Sequence, residues 1–591
     1  MSFHPHRLST AEIEVLRARY KAERDRRIRP DGATQYQRST EADPYTPFVE
    51  REPVRDRVDA VVVGGGFGGL LTGARLRQAG VERIRMIDDG GDFGGTWYWN
   101  RYPGIHCDIE ATVYMPLLEE VGYVPKWRYA PGEEIRQHCI AIAKRFDLYA
   151  DTMFHTRVTG LTWDDEDASW TVTTDRGDVF QSRYVVLSSG TLSQPKLPGI
   201  PGLDEFEGHL FHSSRWDYEY TGGDQTGGLT GLAGKRVAVI GTGASAIQIV
   251  PHLGRDAEQL YVFQRTPSTV DVRDNRPTDP EWAASLQPGW QRERMENFLT
   301  IVTGGHTAED LIGDRWTATA KLQRQMLTGS VDPNISAEER EYLDEVADFR
   351  TMDGIRARVD EIVTDPEVAE RLKPWYRYMC KRPTFSDHYL QTFNLRSVTL
   401  VDTADTGGVT RVSGNSVYVG DDAYEVDCII FATGFEVGRS GVLSGTLPVT
   451  GRGGMPLLGH WRNGPRTLHG FYSHGFPNLF HLGSMQNAAA VNFVHVLQEQ
   501  ATHIGAVVGE AEKRGARWVE PTTEAEDAWA TVIRETAPNN YRFQSECTPG
   551  YYNGEGNPRP VNFSYGPGPV AFHELLREWR EDSLDEVFVK P

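Results

Sequence analysis

Cysteine is scarce in this chain. The five, Cys107, Cys139, Cys380, Cys428 and Cys547, lie far apart, with no CxxC pair and no histidine at zinc spacing. Free thiols and no structural metal are expected. Long apolar runs are missing as well. Nothing approaches the roughly 18 consecutive apolar residues of a membrane span, and the first thirty residues hold Arg, Glu and His where a secretory leader has an apolar centre. A cytoplasmic location without membrane contact is expected. Positive charge is outnumbered: 62 Lys and Arg stand against 83 Asp and Glu, a formal net charge of −21. Such a surface sets aside nucleic acid as a partner and suits a soluble protein.

What is present is length: 591 residues exceed one core and require several domains, or one domain interrupted by another. Residues 1–57 read as a polar arm. Ser9-Thr-Ala-Glu12 has the form of a capping box opening a helix with Ile13, Leu16 and Tyr20 on one face, and irregular chain follows Arg29-Pro30. The arm is expected to pack on the main body, an oligomer contact being the alternative. Six glycines between Thr221 and Gly234 read as a flexible insertion, and no tandem repeat occurs.

Glycine is concentrated where it carries chemistry. Asp59-Ala-Val-Val-Val63 reads as a buried parallel strand that runs directly into Gly64-Gly-Gly66-Phe-Gly-Gly69. A helix from Leu70 to Gln78, a strand Ile84–Ile87 and a terminal Asp88 complete a βαβ unit with an acid placed for a ribose hydroxyl. A second turn, Val237-Ala-Val-Ile-Gly241-Thr-Gly243-Ala-Ser245-Ala246, repeats the spacing that brings backbone amides to a pyrophosphate. Two dinucleotide turns in one chain imply electron transfer between two bound cofactors. After the second turn, the strand Leu260–Phe263 leads into Gln264-Arg265-Thr266 where an NAD-specific protein would present an acid. A cation and a hydroxyl fit a 2′-phosphate, so NADPH is expected over NADH.

Two further stretches are dense in aromatics and glycine: Gly94-Gly95-Thr96-Trp97, continuing through Tyr102-Pro103-Gly104 to Asp108, and Phe206-Glu-Gly208 running through His212 to Trp216-Asp217. The first reads either as a rigid loop on a sheet edge or as a wall over a planar ring. Together they closely resemble the Baeyer-Villiger monooxygenases, whose fingerprints GGxWxxxxYPGxxxD and FxGxxxHxxxW, followed by Pro or Asp, both fit at every fixed position. The resemblance runs on through Phe263-Gln-Arg265-Thr266-Pro267, Cys380-Lys381-Arg382-Pro383, Phe431-Ala-Thr433-Gly434 and Gly475–Phe480, covering roughly residues 58–590.

The resemblance implies an α/β fold of two Rossmann-like domains, the first turn binding FAD and the second NADPH. It also implies insertion of one oxygen atom from O2 next to a ketone carbonyl, through a C4a-peroxyflavin, to give an ester or lactone. Domain boundaries follow: FAD domain 58–192 and 431–591, the latter with C-terminal substrate loops; NADPH domain 193–270 and 378–430; helical insertion 271–377. Chain crossings near Val185–Gly190 and Ile429–Gly434 predict a two-stranded hinge.

Taken alone, Asp108 reads as a loop carboxylate and Arg382 as a solvated cation; the resemblance makes them a catalytic pair beside the flavin. A guanidinium stays charged and suits an anionic oxygen, and Asp108 would hold it in place. Cofactor contacts are expected at Gly64, Gly66, Gly69, Asp88, Gly95, Thr96, Trp97, Tyr102 and Asp108 for FAD. On the NADPH side they are expected at Gly241, Gly243, Ser245, Ala246, Arg265, Thr266, Lys381, Trp216 and His212, the last two near the hinge. The best-known members carry a tryptophan near the substrate where this chain reads Glu546-Cys-Thr-Pro-Gly-Tyr551-Tyr552-Asn553. That departure, with the long arm, resembles the branch acting on macrocyclic ketones and steroids, and suggests bulky ketones with Thr548 or its neighbours replacing an aromatic wall. Related N- or S-oxygenating enzymes have Tyr or Phe where Trp216 stands. A catalytically silent flavin scaffold is the other alternative, and Arg382 with Asp108 speaks against it.

Overall fold

A computed structural model describes residues 8–39, 41–328, 336–437, 442, 445–538, 540–558 and 564–590. Arg55–Val63 is a strand whose inner residues, Ala60, Val61 and Val62, are fully buried, as a parallel strand covered on both faces requires. It pairs in parallel with Ile84–Ile87 on one side and Val179–Leu187 on the other. The sheet continues outward through Ser169–Thr174, Val158–Asp164 and Val449–Thr450 at one edge and Thr152–Met153 at the other, while Leu479–His481 also pairs with Val179–Leu187. The helix Phe67–Gln78 packs against Phe493–Arg514. They approach so closely that a Cβ on Gly505 would lie 2.8 Å from that of Arg75.

A second sheet is parallel throughout, in the order Val398–Asp402, Gln259–Gln264, Arg236–Ile240, Cys428–Phe431, His209–His212. Each sheet therefore puts a glycine turn at the C-terminal end of a central strand, the position where α/β sheets bind ligands. Between the strands of the second sheet the chain runs through the helices Trp290–Val302, Arg315–Thr328 and Ala337–Ile362. The two ends of this excursion meet where Val270–Asp271 pairs with Thr384–Phe385.

The chain passes between the sheets twice, and the two passages touch. Lys196 N donates to Gly434 O at 3.0 Å, Glu436 N to Gln194 O at 2.9 Å, and Thr433 Oγ1 to Lys196 O at 2.6 Å. The arm joins them: Tyr36–Arg38, expected to be irregular, is a strand antiparallel to Lys196–Pro198. Upstream, the Ser9–Glu12 capping box starts the helix Thr10–Asp25, whose Ile13 and Tyr20 are buried with Val346 and Phe349 while Arg17 pairs with Glu345. The first seven residues of the arm lie outside the described residues.

Two expectations are corrected. Cys380 and Cys547 form a disulfide across a sequence separation of 167, leaving Cys107, Cys139 and Cys428 as buried free thiols. A pair joined only by the fold leaves no local spacing to detect. The glycine-rich run Thr221–Gly234 is no loose tether: Leu229 and Leu232 are fully buried and Gln225 O accepts from Gly104 N at 2.8 Å. Its glycines serve tight turns, with positive φ at Gly222, Gly223, Gly227 and Gly228. Among the described residues, no helix is long and apolar enough to cross a membrane.

Candidate functional site

The strand ends of both sheets open into one cavity of about 1520 Å³. Its floor is backbone. Gly64 has φ +113, and a Cβ there would sit 2.7 Å from Ser188 O; one on Gly69 would sit 1.8 Å from Gly64 O. Gly66 caps the helix Phe67–Gln78, so free amides of its first turn face the cavity, where they favour an anion. The second turn repeats this design: Gly241 also has φ +113, with its Cβ position 2.4 Å from Ala432 O, and Gly243 caps Ala244–Asp256 with open space beside it. Gly69 and Ala246 do not line the cavity. They are buried within their helices, where small side chains let helix and strand pack closely.

Asp88 lines the cavity at the end of its strand, and its carboxylate accepts from Gly65 N and Gly90 N. Burial, and then the charge of Asp89, push its carboxyl up to about 6. Gly95, with φ +53, lies against the first turn, its Cβ position 2.8 Å from Gly66 Cα, and Thr96 and Trp97 follow in the cavity wall. Trp97 Nε1 donates to Tyr114 OH at 3.0 Å. Tyr102 reaches from this loop to the Ser245 hydroxyl of the other sheet, and burial pushes its phenol up to about 12. The aromatic loop thus touches both nucleotide turns.

Arg382 and Asp108, 274 residues apart in sequence, form a two-pronged pair: Nε to Oδ2 and Nη2 to Oδ1, both at 2.9 Å. Burial works against the guanidinium charge, but Asp108 outweighs it and raises the Arg382 pKa above its ordinary value. Trp316, from Arg315–Thr328, holds both partners: its ring lies 4.7 Å from the Arg382 guanidinium carbon and its Nε1 donates to Asp108 O at 2.9 Å. Nη1 makes only a long contact, 3.4 Å to Val491 O. One edge of the fork is therefore available to the cavity. Arg273 adds a second cation in the wall near Asp108, with Nε and Nη2 buried and unpartnered. Sequence reasoning missed Trp316 and Arg273, which lie in segments without a nucleotide-site motif.

Arg265 and Thr266 follow the strand Gln259–Gln264 at its C-terminal end and line the cavity together with Lys381. Arg265 Nη2 pairs with Glu555 at 2.8 Å and Nη1 donates to Gln35 Oε1 at 2.9 Å. Lys196 also pairs with Glu555, at 3.2 Å, and neither it nor Glu555 was anticipated. Thr266 Oγ1 is buried without a partner, and burial, followed by Arg265, brings the Lys381 ammonium down to about 8.

His212 and Trp216 lie beside the chain crossing. Both are buried outside the cavity wall. His212 accepts from Ser214 N through Nδ1 and lies edge-on to Phe435 at 5.6 Å, against the second chain crossing; burial holds its pKa down to about 3. Trp216 Nε1 donates to Thr221 Oγ1 at 3.0 Å. Replacing a buried Trp by Ala typically costs about 3–5 kcal/mol, so a Trp216 variant reports on folding before it reports on coenzyme. Thr548 is likewise buried, whereas Tyr551 and Tyr552 line the cavity. An aromatic wall persists, built from two partly exposed tyrosines.

Family models described as flavin-binding monooxygenase-like and as NAD(P)-binding Rossmann-like domain match residues 120–281 and 62–122. The chain is 58% identical, over 99% of its length and 98% of the relative's, to a Baeyer-Villiger monooxygenase of Streptomyces coelicolor. A polycyclic ketone monooxygenase from the thermophilic fungus Thermothelomyces thermophila has TM-score 0.90 at 40% identity, covering 98% of both chains. An oxidized steroid monooxygenase bound to NADP has TM-score 0.74 at 29% identity, covering 90% of this chain and all of its own.

Proposed function

This chain belongs to the Baeyer-Villiger monooxygenases, and we propose that its Arg382–Asp108 pair is the oxygen-inserting centre of an enzyme acting on bulky cyclic, polycyclic or macrocyclic ketones. It is a flavin-dependent oxidoreductase with FAD and NADPH as cofactors and O2 and a ketone as substrates. When bound and reduced by NADPH, FAD would activate O2, from which the inserted oxygen atom comes. The chain's own part is to orient the two nucleotides and to stabilise negative charge on oxygen as it develops. The observation that carries this reading is the two-pronged Asp108–Arg382 pair on the cavity wall, with Nη1 left for an anionic oxygen.

Support for a bulky substrate comes from the fungal polycyclic ketone monooxygenase, which resembles this chain along almost its whole length. The test is a panel: NADPH oxidation and product mass followed with small cyclic, macrocyclic, steroidal and linear ketones. Higher kcat/KM for polycyclic or macrocyclic ketones than for cyclohexanone is expected; the reverse order would remove the substrate assignment while leaving the reaction class. Nitrogen or sulfur oxygenation has less support, because Trp216 completes the ketone-oxidising fingerprint.

Arg265, Thr266 and Lys381 are assigned to the coenzyme's 2′-phosphate. A phosphate raises the pKa of a neighbouring ammonium, so once Lys381 is neutral in the free enzyme, above about 8, binding must take up a proton. Affinity for NADP+ is therefore expected to fall as pH climbs past 8, by up to about tenfold per unit. Below 8 it should stay level until the phosphate itself protonates near ~6. Lys381→Arg should flatten the alkaline limb. Titration of NADP+ between pH 7 and 10 checks this, and a constant Kd in the unmodified enzyme would take Lys381 out of the contact.

A further inference from the structure

Glu555 is a carboxylate where three cations converge. It is 4% exposed, with Oε1 3.2 Å from Lys196 Nζ and Oε2 2.8 Å from Arg265 Nη2, and the charge of the nearby Lys381 ammonium also favours its ionised form. Its pKa is lowered: burial opposes ionisation, but Arg265 and Lys196 outweigh it. The backbone is built to deliver this side chain. Glu555 has φ +59, a left-handed conformation unusual for a non-glycine residue, and its N donates to Gly550 O at 2.8 Å.

Asn553 ties the turn together: Oδ1 accepts from Gly550 N at 3.0 Å and Gly556 N at 3.1 Å, and Nδ2 donates to Cys547 O at 3.1 Å. Cys547 is bonded to Cys380, the residue before Lys381. The turn is thus anchored to the segment that carries two of the site's cations, Lys381 and Arg382.

We propose that Glu555 occupies the subsite of the coenzyme's 2′-phosphate and is displaced when NADPH binds, so that it sets coenzyme affinity by competition. The proposal rests on the assignment of Arg265 and Lys381 to that phosphate. Both carboxylate oxygens already point at the cations a phosphate would need, and a phosphomonoester carries close to two negative charges at neutral pH where the carboxylate carries one. The dianion is the better match for three cations. Like-charge repulsion prevents both from sitting at one place. Displacement of Glu555 also frees the end of a turn whose other residues, Tyr551 and Tyr552, line the cavity near Arg382. Coenzyme arrival is thereby coupled to the position of the tyrosine wall.

The test uses FAD-loaded full-length enzyme and isothermal titration with 2′,5′-ADP, which carries the phosphate and no nicotinamide, against 5′-ADP, which lacks the 2′-phosphate. Glu555→Gln is expected to bind 2′,5′-ADP on the order of tenfold more tightly than the unmodified enzyme, with 5′-ADP unchanged. Glu555→Asp, which keeps the charge on a shorter stem, is expected to fall between them and covers the case in which the glutamine variant loses its flavin. Equal or weaker binding of 2′,5′-ADP by Glu555→Gln overturns the proposal, weaker binding making Glu555 a coenzyme ligand. Arg265→Ala separates this from the underlying assignment: if that variant still prefers 2′,5′-ADP over 5′-ADP as strongly as the unmodified enzyme, the phosphate site itself is misassigned.

Discussion

Arg382→Ala is expected to leave flavin reduction by NADPH detectable while lowering ester or lactone formation by about 10²–10³-fold, the usual cost of removing a donor to a developing oxyanion. Hydride transfer from nicotinamide needs proximity and orientation, which nucleotides held at the turns of Gly64 and Gly241 would have without a guanidinium. Oxygen insertion needs a cation that keeps its charge in a half-buried setting. Asp108 secures that charge, and Trp316 fixes the plane of the fork. Lysine in place of Arg382 should rescue poorly, because one ammonium cannot span both Asp108 oxygens and still face the cavity. The measurement is anaerobic bleaching of the flavin by NADPH in a stopped-flow instrument, followed by mixing with O2 and ketone and assay of product mass. Ester formation near the original rate in Arg382→Ala would remove Arg382 from its assigned role.

The second large effect is on coenzyme choice. Arg265→Ala should raise the KM for NADPH by roughly ten- to a hundredfold, the worth of a charge-assisted contact of about 1.5–3 kcal/mol, with a much smaller change for NADH. The unmodified enzyme should strongly prefer NADPH. Arg265 is also a partner of Glu555 and Gln35, so its loss loosens the turn at Gly550–Glu555. Steady-state kinetics with both coenzymes, and flavin content as a folding control, separate these consequences. Equal use of NADPH and NADH by the unmodified enzyme would contradict the assignment.

The two nucleotide turns were legible because their chemistry demands glycine at fixed spacing beside apolar strands, as Gly64 and Gly241 illustrate with φ +113 each. Asp108 and Arg382 were legible only through resemblance; nothing local joins residues 274 apart. Ala246 and Gly69 carry the right spacing yet serve helix packing, so a motif position is no guide to whether a residue touches ligand or supports the residue that does. His212 and Trp216 show the same limit on the other fingerprint. The Cys380–Cys547 bond, Trp316 and Glu555 were out of reach, because each depends on segments brought together by the fold.

The paired crossings have a mechanical consequence. A single connecting strand lets two bodies swivel freely, like a ball on a string. Here Lys196 is bonded to Gly434 and Gln194 to Glu436, and Tyr36–Arg38 lies along the outer side. Such a ribbon yields to flexing across its face far more readily than to torsion along its length. Any rotation of the sheet that carries Gly241 relative to the sheet that carries Gly64 would thus be restricted to an arc, as a door's is, with His212 and Phe435 beside the joint. A nucleotide held at Gly241 would follow that arc, so its alignment with the turn at Gly64 would be inherited from the joint and need not be found anew at each turnover.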